Sequence, residues 1–138
     1  MNIYLDIDGV LLANEKFLSV GAEEFVKYVV TRYPTYWLTT HCMDDDPSLA
    51  IENVGKLCKP ETVELLRKIK PTSWVTAKTE AIDFTKLFLW FDDDLYDDER
   101  EELVKRRLLD SWVEIDLDKN PNQLFDLLKN FPKPSLLE

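Results

Sequence analysis

The sequence predicts an α/β fold, a three-layer sandwich on a five-stranded parallel sheet, and three observations predict it. Short apolar runs rich in aromatic and β-branched residues alternate with longer stretches of helical periodicity. Several of the short runs are continuously apolar, as strands covered by helices on both faces are. The chain has 138 residues, the length of one domain, and only three glycines and seven prolines, too few for a flexible linker. It carries no internal repeat.

Five runs read as strands: Asn2–Asp6, Thr35–Thr39, Ser73–Val75, Leu87–Phe91 and Ser111–Ile115. Helical patterns fill the gaps. Gly21–Tyr33 places Phe25, Val26, Val29, Val30 and Tyr33 on one stripe. Glu61–Ile69 follows Pro60 and repeats Val63, Leu66 and Ile69 at helical spacing. Asp97–Leu109 begins with acids and ends near Lys105, Arg106 and Arg107, the order the helix dipole favours. A last helix starts at Asn120-Pro121, runs through Leu124, Phe125, Leu127 and Leu128 to Phe131, and stops at Pro132 and Pro134. Strands alternating with helices imply right-handed βαβ units and a Rossmann-like sheet across residues 1–138.

Composition narrows the class. With 45% hydrophobic and 12% aromatic residues the chain can bury a real core, which excludes disorder and a disulfide-stapled miniature. No apolar stretch reaches the roughly 18–20 residues of a membrane span, and the chain opens into Ile3-Tyr4-Leu5 without a basic leader. Two cysteines, Cys42 and Cys58, fit a reducing cytoplasm. Asp and Glu number 27 against 17 Lys and Arg, a net charge of −10, which argues against a long nucleic-acid footprint.

In parallel α/β sheets ligands gather beyond the carboxyl ends of the strands, so the residues that close each strand matter most. The first strand closes with Asp6-Ile7-Asp8-Gly9; residues two apart on an extended chain face the same way, so Asp6 and Asp8 can converge. Gly9 permits a sharp turn. The second strand closes with Thr39 and Thr40, Lys78 follows the third, and the fourth runs into Asp92-Asp93-Asp94. So many carboxylates at one edge raise one another's pKa values, and a hard divalent cation such as Mg²⁺ relieves them. Carboxylates, hydroxyl and ammonium together describe Mg²⁺-dependent phosphoryl transfer.

The segment Tyr4-Leu5-Asp6-Ile7-Asp8-Gly9-Val10 resembles the first motif of the haloacid-dehalogenase-like (HAD) hydrolases. Trp37-Leu38-Thr39 resembles the second, Lys78 the third, and Leu89-Trp90-Phe91-Asp92-Asp93 the fourth, in order over essentially the whole chain. The resemblance implies that Asp6 is the nucleophile and a Mg²⁺ ligand. It makes Asp8 the general acid and base, its backbone carbonyl also touching the metal. Thr39 would bond the phosphoryl group; Thr40 stands beside it, and either can supply the motif's hydroxyl. Lys78 would neutralise charge on Asp6 and the phosphoryl oxygens, Asp92 would complete the metal site, and Asp93 would act directly or through water. Val10 stands where many members have Thr. About a dozen residues separate Gly9 from the first helix, and only Thr76 and Ala77 separate Val75 from Lys78, leaving no room for a cap domain at either place. A capless member must exclude water with its substrate or with a second copy of itself, and capless members often act on macromolecules. The partner implied is a phosphorylated small molecule or phosphoprotein.

Other polar groups have plainer readings. Asp97, Asp98 and Glu99 read as the acidic first turn of a helix, and Asp44-Asp45-Asp46 as a solvated loop capping the next helix. His41 and Cys42 are adjacent, and neighbours in sequence rarely face each other, so they do not read as a catalytic pair; His41 flanks the pocket and is a candidate substrate contact. Trp37, Trp74, Trp90 and Trp112 lie in strands and read as core. Dehalogenation is disfavoured because Asp8 fills the general-acid position. A signalling receiver domain is disfavoured because the expected third strand ends without Asp. The alternative that stays open is a catalytically weak or inactive binding module on the same fold.

Overall fold

The computed structural model describes residues 1–42 and 44–135. In chain order its elements are β1 (Asn2–Leu5), a hairpin of β2 (Leu12–Ala13) and β3 (Phe17–Leu18), α1 (Ala22–Arg32), β4 (Thr35–Trp37), α2 (Ser48–Gly55), α3 (Pro60–Leu66), β5 (Phe88–Asp92), α4 (Asp97–Lys105), β6 (Trp112–Glu114) and α5 (Gln123–Lys129). Two 3-10 turns, Lys78–Ala81 and Leu109–Ser111, complete it. Strands β4, β1, β5 and β6 form one parallel sheet in that order, with β1 at its interior.

Alternation along each strand builds a core on both faces. Ile3, Leu5, Trp37, Leu89 and Phe91 point to one face, against Phe25, Val26 and Val29 of α1 and Leu124 of α5. Tyr4, Phe88 and Trp90 point to the other, against Ile82, Leu103 of α4 and Leu108. The rings interlock: Phe25 meets Phe91 edge-on at 5.1 Å between centroids, and Tyr4 stacks on Tyr36 at 5.3 Å. Burial on both faces explains why these strands read as continuous apolar runs.

Among the described residues the sheet has four strands where the sequence predicts five. Ser73–Val75 is not a strand; Ser73 makes an isolated antiparallel bridge to Asp44, and Val75 is 88% exposed. The fifth position beside β4 is held by Lys70 alone, which gives its N–H to Thr35 O at 2.9 Å and accepts Trp37 N–H at 2.8 Å. Pro71 follows without a donor and ends the ladder there. The Thr72 hydroxyl then bonds the Trp37 carbonyl and pins the departing chain.

Helix limits shift for local reasons. Helix α4 ends at Lys105, short of Leu109, because Arg107 takes a left-handed φ of 59°. Helix α5 begins at Gln123, after Asn120 Oδ1 accepts Asn122 N–H at 3.1 Å in a turn of its own. Asp46 accepts the N–H of Ser48, the first residue of α2, at 3.0 Å, in keeping with its expected capping role. Among the described residues no helix is long and apolar enough to cross a membrane.

Burial fixes where substitutions hurt. Phe91→Ala empties a site at the centre of one core and is expected to cost about 3–5 kcal/mol in urea unfolding. Val75→Ala, at the position expected to be a strand, is expected to stay within about 0.5 kcal/mol of wild type.

Candidate active site

Strand pairing brings the acids together. Leu5 lies opposite Phe91, so the next residues along, Asp6 and Asp92, follow side by side at the carboxyl edge; Asp6 N–H reaches Phe91 O at 3.1 Å. Both are buried, with Asp6 7% and Asp92 2% exposed. Ile7 turns into the core and its carbonyl accepts the N–H groups of Val10, Leu11 and Leu12, which folds the chain tightly and leaves Asp8 at the surface of the turn. Gly9 takes φ +78°, and a Cβ there would stand 2.3 Å from Asp93 Oδ2. The glycine is what lets Asp93 lie against the first strand's turn.

Lys78 opens the 3-10 turn that begins beyond the sheet edge. Its Nζ lies 2.7 Å from Asp92 Oδ2 and 3.6 Å from Asp6 Oδ2. Glu99 holds the lysine's backbone, accepting Lys78 N–H at 2.9 Å and Tyr96 N–H at 3.1 Å through its two oxygens. Asp92 is fixed further by the indole N–H of Trp90 at 3.1 Å and by Asp94 N–H at 3.2 Å.

The electrostatics are unbalanced. Burial, then the neighbouring Asp92, push Asp6 from 3.8 up to about 8, and Lys78 only partly offsets them. Burial and a hydrogen bond with Asp92 raise Asp93 to about 6. Burial pulls Lys78 down, yet Asp6 and Asp92 outweigh it and the ammonium is held above its ordinary value. Carboxylate oxygens of Asp6, Asp92 and Asp93 lie within 4.8 Å of one another and could hold a metal ion. Once a cation displaces the Asp6 proton, three ionised carboxylates against one ammonium leave two negative charges, the complement of a divalent ion, so the residues fit such an ion.

Asp6, Asp8, Thr40, Lys78, Asp92 and Asp93 line one open cavity of about 300 Å³. Of the two adjacent hydroxyls, Thr40 lines it; Thr39 is fully buried and its Oγ1 accepts His41 N–H at 3.3 Å. His41 does not pair with Cys42, whose Sγ turns to Thr72 O at 3.8 Å and whose thiol burial pushes up. The imidazole instead meets Asp8 Oδ2 at 2.9 Å through Nε2, and Asn53 of α2 at 2.8 Å through Nδ1. Sequence reasoning missed Glu99, read only as a helix's acidic first turn, and Asn53. The one sequence signal for Glu99 is its place three residues into a helix start, where a glutamate commonly reaches back to the backbone. Asn53 carries no such signal. Asp44 and Asp46 do not line this cavity; they bridge Ser73 and cap α2.

Compared with protein-family models, curated proteins and solved structures, the chain matches none of them.

Gly9→Ala strains a left-handed residue by about 1–2 kcal/mol and drives Asp93 away. It is expected to weaken Mg²⁺ or Mn²⁺ binding about tenfold or more by titration calorimetry while circular dichroism stays native.

The raised carboxyl values set a pH dependence. Between 3.8 and about 8 the cation-free folded protein keeps the Asp6 proton that the unfolded chain releases, so stability falls as pH rises through that window. Thermal melts without divalent cation are therefore expected to show this group lowering Tm from about pH 5 to about pH 8. Cation affinity is expected to rise over the same range, because binding displaces the proton. Affinity that does not change with pH would contradict this assignment.

Proposed function

We propose that the chain is a Mg²⁺-dependent phosphatase of the HAD-like type, a single catalytic domain that hydrolyses a phosphomonoester through an aspartyl-phosphate on Asp6. One observation carries the reading: Asp6 lies against both the Asp92–Asp93 carboxylates and the Lys78 ammonium, in a cavity that Asp8 also lines. The four-stranded parallel sheet is compatible with the Rossmann-like core of that type.

In this reading Asp6 attacks phosphorus as the leaving oxygen departs, and Asp8 gives that oxygen a proton. Asp8 then takes a proton from the water that cleaves the Asp6 phosphate. Lys78 balances charge on Asp6 and on the phosphoryl oxygens, and Thr40, with Thr39 behind it, supplies the hydroxyl side of the pocket. Asp6, Asp92 and Asp93 would hold Mg²⁺, with the Asp8 backbone as a further ligand. When bound, the ion neutralises the carboxylates and the transferring group's negative charge. The cavity is open, so a phosphoprotein or a small phosphorylated molecule can reach it, and the substrate or a second copy of the chain would exclude water. Two free cysteines support a reducing compartment such as the cytoplasm.

Phosphate release from an aryl phosphate, measured with Mg²⁺ and with EDTA, tests the reading. Asp6→Asn is expected to lower turnover by about 10³-fold or more without lowering Tm in EDTA, since it removes a carboxyl that burial keeps from ionising when no cation is bound. Turnover indifferent to EDTA or to Asp6→Asn would overturn it. Tight Mg²⁺ binding with no turnover of any phosphomonoester would favour a binding module instead.

A further inference from the structure

We propose that His41 and Asn53 are positioning residues that aim the Asp8 carboxyl for proton transfer, an inference that rests on the phosphatase reading. Asp8 needs such help, because its side chain is 38% exposed and stands on a turn beyond the sheet. Among the described residues, the side-chain partner it has is His41, through Oδ2 at 2.9 Å.

His41 is itself held. Its side chain is 18% exposed, its backbone N–H is bound to Thr39 Oγ1, and Asn53 Nδ2 lies 2.8 Å from its Nδ1. With the Asn53 NH₂ turned to Nδ1, that nitrogen is the acceptor, which leaves Nε2 to donate to Asp8. Asn53 is anchored in turn by α2, whose Ala50 and Val54 are buried in the core. The chain of contacts runs from a packed helix through one imidazole tautomer to one carboxyl oxygen of Asp8. With Oδ2 engaged by His41, proton transfer to the leaving oxygen falls to Oδ1. In the first step the Asp6–phosphorus bond forms, the bond from phosphorus to the leaving oxygen breaks, and the proton passes from Asp8 to that oxygen. Water returns a proton to Asp8 in the second step.

The surroundings agree with this role. Asp8 lines the carboxylate cavity and also a neighbouring cleft of about 450 Å³ walled by His41, Asn53, Leu12, Lys56 and Leu57.

The test compares kcat/KM, which reports steps up to leaving-group departure, for p-nitrophenyl phosphate and an alkyl phosphate at saturating Mg²⁺. A nitrophenolate leaves without a proton and an alkoxide does not. His41→Ala is expected to lower kcat/KM about 10–100-fold for the alkyl ester and less than about 3-fold for the nitrophenyl ester. Asn53→Ala is expected to shift the ratio in the same direction, and His41→Gln, which keeps an N–H donor, to recover part of the loss. Equal losses on both esters in His41→Ala and Asn53→Ala, or no loss on either, would overturn the positioning role and leave the phosphatase reading standing. Wild-type protein that releases no phosphate from either ester would overturn that reading and this inference together.

Discussion

The contact on which the site depends is the one between the Lys78 ammonium and the Asp92 carboxylate, 2.7 Å apart in a nearly dry setting. Burying either charge alone would cost several kcal/mol. Together they form a pair to which Asp6 adds a second carboxylate 3.6 Å from the same nitrogen. The pair is supported from all sides: Trp90 and Asp94 hold Asp92 through N–H groups, and Glu99 fixes the lysine's backbone. These bonds stabilise an arrangement that electrostatics alone would open. The carboxylates outnumber the ammonium, and that is the physical reason the edge can take a cation by giving up a proton.

The sheet converts that local chemistry into a fixed geometry. Because β1 pairs with β4 on one side and β5 on the other, its end cannot move without breaking two ladders. The aromatic layers on both faces hold the strands against rotation, and so hold Asp6 and Asp92 at adjacent positions. Asp8 lies outside this framework by one tight turn. It therefore relies on side chains from other segments.

The division between what was readable in the sequence and what was not follows the same line. Asp6, Asp92 and Asp93 close strands, and strand ends in a parallel sheet converge by geometry alone, so their grouping was legible from spacing. Lys78 was legible for its order in the chain, although Ser73–Val75, the strand expected to present it, does not form. Pro71 ends the ladder there, and a three-residue run gave no sign of whether it had a neighbour to pair with. The choice between Thr39 and Thr40 depends on one backbone step after β4, which no pattern of residue types fixes. Glu99 and Asn53 act across 21 and 12 residues through loops whose paths are set by tertiary packing. Charge in a helix's first turn looks the same in sequence whether it faces water or holds a lysine.

The pairing of Asp6 with Asp92 has a consequence for the making of the protein. The two residues stand at opposite ends of most of the chain, and a ribosome releases the first long before it synthesises the second. Until β5 docks beside β1, each carboxylate is hydrated and ionised at little cost, and no concentrated negative field exists. The repulsion arises late and all at once, as the last interior strand closes. A nascent chain thus carries Asp6 and Asp8 long before the carboxylate cluster exists, and the crowding of charge appears only when the sheet is nearly complete.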